Sequence, residues 1–405
     1  MESKYFIKTC ALIATEGSPL SDDFEISGGN PNITYYESVK SPSISVSIDF
    51  IDVDGVISRE GITGGEYLDL KIKVPDFDDF EITPDKHFMM LNSVKNVKTS
   101  SNKQIATLEF VSVEAIINET ARVSRRFTGN VSQIVKELMK DKKSIQTSKN
   151  LETDESFNKY SFVGNLKRPF DTIQWLCPKA ASTDKECGFL FYENLDGYFF
   201  KSIKGLLESD SSETYEKPEA PVDTDIKITE NNLDSSNDIG MNCRMGMYAN
   251  KTLYVDIENG KIETIDYKIS DLNLAKPPKL PAGLEDVPTR LMLRILDAGA
   301  LQKGSKKEEV EKRSELAVYQ NKSYARTNLL FSQSLSISTP FNPDLRVGQM
   351  IDVVLPVKEG SDQSQTTGGG ENDISGKYLL SELKHSIANG KSNSELKLIR
   401  DVFTA

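Results

Sequence analysis

Two stretches near opposite ends of the chain repeat one pattern. Gly65-Glu66-Tyr67-Leu68-Asp69-Leu70 runs on to Pro75, and Gly348-Gln349-Met350-Ile351-Asp352-Val353 runs on to Pro356. The repetition continues past that strand. Met89-Met90-Leu91-Asn92-Ser93-Val94-Lys95, a polar turn and Leu108-Glu109-Phe110 are echoed by Tyr378-Leu379-Leu380-Ser381-Glu382-Leu383-Lys384, Asn389-Gly390 and Leu396-Lys397-Leu398. Offsets between the copies are 283, 289 and 288 positions, so spacing is nearly preserved. A β module that occurs twice in one chain lets three chains present six equivalent units, and a threefold assembly can then match a sixfold one.

The 405 residues, 38% of them hydrophobic, are enough for two to four compact domains. No apolar run approaches the ~18 residues of a membrane span, and Met1 to Ala14 contains Glu2 and no long apolar segment, so no secretory signal is visible. Cys10, Cys177, Cys187 and Cys243 are scattered without a Cys-x-x-Cys pair, which argues against a disulfide framework or a zinc site. A net charge of -12 disfavours tracking of nucleic-acid phosphates, which needs a basic face. The densest basic cluster, Arg122, Arg125 and Arg126, reads as a solvated approach to a helix or a contact with an acidic partner.

Periodicity divides the chain into β and helical territory. Ile44, Val46, Ile48 and Phe50 alternate with Ser43, Ser45, Ser47 and Asp49, the period of a half-buried strand. Strands are expected at Tyr67–Val74, Phe88–Val94 and Ile105–Val113, in a first module ending near Ser124. Then Asn130 or Ser132 caps a helix carrying Ile134, Val135, Leu138 and Met139, and Pro169 opens a second with Phe170, Ile173 and Leu176. Phe189, Phe191, Tyr198 and Phe200 flank Asn194-Leu195-Asp196-Gly197 as an aromatic hairpin whose rings belong to a core. Glu208 to Asp225 reads as a linker, and Asn259-Gly260 as a hairpin turn between Thr252–Ile257 and Ile262–Ile269. Helices are expected from about Val287 to Ala298, stopped by Gly299, and from Ser305, with Glu308 in a capping box, toward Tyr324. Strands at Leu335 and Ile337, Met350–Leu355, Tyr378–His385 and Glu395–Ile399 build the second module, interrupted by an exposed low-complexity loop from Gly360 to Asn372.

Residues that carry chemistry are few. His87 and His385 are the only histidines, they fall in separate modules, and each reads as a surface or capping residue. Asp76, Asp78, Asp79 and Glu81 are interleaved with Phe77 and Phe80, and neither they nor Asp52-Val53-Asp54-Gly55 fit a calcium loop, so a solvated loop is the simpler reading. Walker, nucleophile-elbow and Rossmann fingerprints do not occur. No catalytic, cofactor-binding or metal-ligating residue is therefore assigned, and no cofactor is expected.

The run Phe341-Asn342-Pro343-Asp344-Leu345-Arg346-Val347-Gly348-Gln349, then Ile351 to Pro356, Gly376-Lys377-Tyr378-Leu379-Leu380-Ser381 with Lys384-His385, and Leu396-Lys397-Leu398-Ile399-Arg400-Asp401, resembles the closing barrel of central baseplate hub proteins. These belong to contractile-tailed, T-even-like bacteriophages and are related to the spike hubs of type VI secretion. Gly64-Gly65-Glu66, Phe110-Val111-Ser112-Val113-Glu114 and Val123-Ser124-Arg125-Arg126-Phe127-Thr128-Gly129 are similar to the N-terminal half of the same proteins. Each motif is short; their order and spacing carry the resemblance over nearly the whole chain.

The resemblance implies an α+β, mainly β fold: two duplicated tube-like antiparallel β-barrel domains with α/β insertions. The implied division is a first barrel over 1–124, an α/β insertion over 125–208, a linker and the start of the second barrel domain over 209–250, a hairpin and helical outer domain over 251–321, and the second barrel over 322–405. It further implies a non-enzymatic homotrimer that adapts a hexameric tail tube or tube-initiator protein to a trimeric spike, with a tape-measure protein as a further partner. The location implied is the centre of the virion's tail baseplate, after assembly in the host bacterial cytoplasm. No sequence-specific nucleic-acid binding and no membrane span are expected. Because the second barrel ends at Ala405, a hub polypeptide separate from its spike is expected, and the acid excess suggests a lumen that does not retain DNA. The loop after Pro356 and the lysine-rich stretch Lys303–Lys312 depart from the family. Two other readings stand: a distal tail or tube-initiator protein, and a spike-associated peptidoglycan hydrolase.

Overall fold

The computed structural model describes residues 5–29, 31–53, 55–75, 77–99, 104–217, 228–236, 238–256, 260–272, 283–296, 313–355, 374–388 and 390–401. The fold is mainly β, with few helices, as expected. The first module comprises β1 (Phe6–Ile13), β2 (Phe24–Glu25), β3 (Asn32–Ser38), β4 (Ser45–Asp52), β5 (Tyr67–Lys73), β6 (Phe80–Ile82), β7 (Met89–Thr99) and β8 (Gln104–Ser112), with the short helix α1 (Val56–Glu60) after β4. Ile44, Val46, Ile48 and Phe50 point into its core while Ser45, Ser47 and Asp49 do not, so the alternation in sequence is the alternation of faces.

The first insertion follows directly. Helix α2 (Val113–Thr120), β9 (Arg126–Asn130), α3 (Val131–Lys140), β10 (Leu151–Thr153), β11 (Lys159–Val163), α4 (Pro169–Leu176), β12 (Phe189–Asn194) and β13 (Gly197–Ser202) share a second core, while Ile203 and Leu206 of α5 (Ile203–Leu207) pack with Met350, Leu379 and Ile399 of the second module. Asn130 stands at the N-cap of α3, where Gln133 reaches back and its Oε1 accepts from the Asn130 N–H at 3.3 Å. Pro169 occupies the first turn of α4. The β12–β13 hairpin turns at the expected residues, and Phe189, Phe191, Tyr198 and Phe200 lie in the insertion core. Its opposite face, through Tyr192 and Phe199, packs on the second module.

Beyond the insertion come β14 (Ser211–Glu216), β15 (Glu230–Ser236), α6 (Ile239–Arg244), β16 (Ala249–Asp256), β17 (Lys261–Lys268), β18 (Arg290–Leu296), α6's successor α7 (Arg313–Leu330), β19 (Gln333–Pro340), β20 (Met350–Val354), β21 (Gly376–Ala388) and β22 (Lys391–Arg400). Two expectations are corrected. The helix expected from Val287 to Ala298 is strand β18, parallel to β16 with Leu291 opposite Lys251 and Leu293 opposite Leu253. The spacing Leu291, Leu293, Ile295 is the period of two that a strand requires, and pairing with β16 decides against helix. The expected linker Glu208–Asp225 contains β14, which joins the second module by pairing parallel with β20. The hairpin expected at Asn259-Gly260 forms between β16 and β17, although residues 257–259 lie outside the described residues. So do 305–312, where a helix start was expected, and the loop from Gly360 to Asn372; α7 continues past Tyr324 to Leu330.

The duplication is carried residue by residue in the register. In the first module the order is β3-β4-β8-β7-β5-β1, and in the second β15-β19-β22-β21-β20-β14. Tyr67 faces Met90 in one, and Met350 faces Leu379 in the other. A bulge falls between Leu91 and Ser93 of β7 and at the equivalent place, between Leu380 and Glu382, of β21. The Gly65 N–H donates to the Leu91 carbonyl at 3.0 Å, and the Gly348 N–H to the Leu380 carbonyl at 2.9 Å. The copies differ in one direction: β1 runs antiparallel to β5, whereas β14 runs parallel to β20. The two modules are joined edge to edge, because β21 pairs with β3 and both belong to one 14-stranded sheet.

Candidate functional site

The seam between the modules is where the molecule concentrates its unusual chemistry. Along it, Glu382 lies opposite Ser38, Lys384 opposite Tyr36, His385 opposite Tyr35 and Ile387 opposite Ile33. A bulge bends β21 just before this stretch, which lets one strand serve its own module first and then the next. On the inner face, His385 stacks on Tyr35 with centroids 5.8 Å apart and touches Phe80 at 5.7 Å and Phe341 at 4.6 Å. Phe341 comes from the second module and Phe80 from the first, so the ring cluster locks the two copies together. His385 is completely buried, which corrects the surface reading of this residue. Its Nδ1 lies 2.9 Å from Ser394 Oγ, and burial, with Arg346 nearby, pulls its pKa down to about 3, so the ring is neutral.

Glu37 lies two residues beyond Tyr35 on the same buried face of β3. Its Oε1 accepts from Tyr35 Oη at 2.5 Å and from the Leu195 N–H at 2.8 Å, and its Oε2 accepts from the Val347 N–H at 2.9 Å. One buried side chain thereby ties three distant pieces together: the seam strand, the aromatic hairpin turn and the loop leading into Gly348. Burial pushes its pKa up to about 7, against the opposing pull of the Arg346 guanidinium and its hydrogen-bond donors.

A second buried network fastens the insertion to the first module. Lys149 Nζ lies 2.7 Å from Glu193 Oε1 and 2.9 Å from Glu114 Oε2. Glu193 Oε2 accepts from the Ile44 N–H at 3.0 Å and from Ser112 Oγ at 2.6 Å, while Thr147 Oγ1 donates to Glu114 at 2.6 Å. Burial alone would lower the Lys149 pKa; Glu193 and Glu114 more than offset it and hold the ammonium charged.

The outer face of the seam is polar. A groove of about 480 Å³ runs over it, bounded by Tyr36 and Glu382 on one side and Glu230 and Asn232 on the other. Charges on this face include three neighbouring pairs of opposite sign: Lys95 with Glu109 at 2.5 Å, Lys384 with Glu395 at 3.1 Å and Lys397 with Glu382 at 3.6 Å.

Residues singled out by sequence are not brought together. His87 is buried in a turn of the first module, where its Nδ1 accepts from the Thr83 N–H at 2.9 Å, and burial takes its pKa down to about 4. It is a capping residue, as expected. Arg125 spans Glu137 at 2.9 Å and Asp141 at 2.7 Å, Arg126 Nε donates to Ser161 Oγ at 3.0 Å, and Arg122 donates to the carbonyls of Glu119 and Ala121. In the acidic stretch, Asp79 pairs with Lys8 at 2.5 Å while Phe80 leaves the surface for the seam core. Cys10, Cys177 and Cys187 are buried free thiols. Sequence reasoning missed Glu37, Glu193 and Lys149 altogether. A charged residue in an apolar strand, as Glu37 is among Ile33, Tyr35 and Val39, was the available signal.

By sequence the chain matches no family profile and no curated protein. By structure it is similar to a tail protein from Neisseria meningitidis, with a TM-score of 0.53 and 10% identity over 99% of this chain and 98% of that one. A 43 kDa tail protein of a Shewanella oneidensis prophage matches at a TM-score of 0.49 and 8% identity, over 100% of this chain and 99% of that one. An E. coli component of the type VI secretion system, described as structurally similar to phage tail proteins, matches at 0.46 and 10% identity, over 99% of this chain and 78% of that one. The chain shares its fold with the Neisseria tail protein over nearly the whole length of both.

Proposed function

We propose that the chain is a structural, non-enzymatic hub at the centre of a contractile tail's baseplate, acting as a homotrimer. Two modules per chain make six in the trimer, a pseudo-sixfold ring that joins a hexameric tail tube or tube initiator to a trimeric spike. The observation that carries this reading is the register: two copies whose strand pairings, bulge and glycine hydrogen bonds coincide, fused edge to edge through β21 and β3. Such a fusion places equivalent units side by side, as a ring requires. The fold shared with the Neisseria tail protein supports the same assignment.

In this reading the polar outer face of the sheet lines the lumen. Serines and paired charges there offer phosphates no net attraction, so passage of DNA depends on the absence of a basic wall and not on an acidic one. The domain division proposed is 1–124, 125–208, 209–250, 251–321 and 322–405, with the insertions carrying partner specificity. Native mass measurement of the pure chain tests the assignment. A trimer is expected; a hexamer transfers the chain to the tube-initiator class, and clearing of peptidoglycan in a zymogram overturns the non-enzymatic reading.

A further inference from the structure

The seam inside the chain is a template for one between chains. In the second module, the end of β21 beyond its bulge has an edge that β3 covers, with Lys384 facing Tyr36, His385 facing Tyr35 and Ser386 facing Thr34. The counterpart of that end is Ser93–Thr99 of β7, since both lie against equivalent residues of β22 and β8. The counterpart of β3 is β15, since both flank equivalent residues of β4 and β19. Among the described residues, β7 beyond Leu91 pairs only with β8, and β15 pairs only with β19. Six strands separate these two edges within the chain, so they do not cover one another there.

Both edges depart from the template, and they do so at the same level. Between Lys95 and Lys98, β7 has two residues where β21 has one between Lys384 and Ser386. Between Asn232 and Ser235, β15 has two residues where β3 has one between Thr34 and Tyr36. Either extra residue alone would slip a copied seam by one position and turn its side chains to the wrong face. Together they cancel.

Resting on the homotrimer reading, we infer that Ser93–Thr99 of one copy pairs antiparallel with Glu230–Ser236 of the next, in the register Lys95–Ser235, Asn96–Asp234, Val97–Leu233 and Lys98–Asn232. The occupant of each open edge is a second copy of this chain, and the contact is heterologous, closing after three copies. Val97 is 45% exposed in the single chain and Leu233 is partly so; the pairing covers both. Lys95 and Lys98 are brought to an edge that carries Glu230 and Asp234, opposite charges that favour this partner over self-pairing of either edge.

Full-length protein with Val97→Cys and Leu233→Cys in a Cys243→Ser background tests the register, because facing residues of an antiparallel pair lie ~4.5–5.5 Å apart at Cα, within disulfide reach. Mild oxidation is expected to convert most chains to a covalent trimer on a denaturing, non-reducing gel, while each single-cysteine variant and the shifted pair Val97→Cys with Asn231→Cys stay uncoupled. Native mass and circular dichroism of the reduced variants establish that they fold and assemble as the parent does. A native trimer that links through the shifted pair, or not at all, overturns this seam and leaves the hub reading standing. A chain that remains single at its highest soluble concentration overturns both.

Discussion

At the scale of the residue, the two modules are held by buried titratable groups whose protonation opposes one another. His385 is neutral in the fold, with its pKa pulled down to about 3, whereas the unfolded chain protonates it at ~6.5. Its contribution to stability is therefore complete above that value and is lost as pH falls toward the folded value. Glu37 has the opposite sign: burial lifts it to about 7, so its contribution is complete below the unfolded value of ~4.3 and is lost as pH rises through the folded one. Urea unfolding across this range should show His385→Gln flattening the acid-side decline by up to ~1.4 kcal/mol per pH unit, and Glu37→Gln flattening the opposing slope. Slopes identical to the parent's would show that neither group titrates differently on folding. Neither role was legible beforehand. Strand periodicity places His385 on a face but says nothing of Tyr35, Phe80 and Phe341, which reach it from strands and loops remote in sequence.

At the scale of the element, equivalent glycines have acquired unequal duties. Gly65 and Gly348 both adopt positive φ, +107° and +90°, to turn the chain into β5 and β20. Open space surrounds the position of a Cβ at Gly65, whereas at Gly348 it would collide with the Tyr192 hydroxyl of the aromatic hairpin. Gly65→Ala should cost ~1–3 kcal/mol through backbone strain alone. Gly348→Ala should cost a further ~1–3 kcal/mol from overpacking, read as the difference between the two midpoints in denaturant. Equal losses would show that Tyr192 yields freely. The insertion's attachment offers a sharper contrast: Lys149→Met leaves Glu114 and Glu193 buried without their cation and should destabilise by ~3–5 kcal/mol, with Glu193→Gln in the same background recovering part of it. Helices α3 and α4 were legible because cap, proline and apolar spacing agree locally. Strand β18 was not, because seven residues with mixed polarity fit two periods and only the parallel partner β16 selects one.

At the scale of the whole molecule, two modules are merged into one sheet, and the sheet ends in edges whose residues match those already paired inside the chain. An assembly built on those edges should lose its trimer when Val97→Asp sets a carboxylate opposite the apolar Leu233, with the folded single chain unaffected; size-exclusion chromatography reads this directly. A trimer that persists would place the contact elsewhere. The sequence by itself determined that a β module occurs twice, which faces of its strands are buried and where α3 and α4 begin, since these follow from periodicity and local backbone preference. Only the tertiary structure decided that the copies share one sheet, that a buried histidine and a buried glutamate sit at their junction, and that β7 and β15 carry compensating extra residues. Strand neighbours and register depend on contacts between residues hundreds of positions apart, and no local pattern records them.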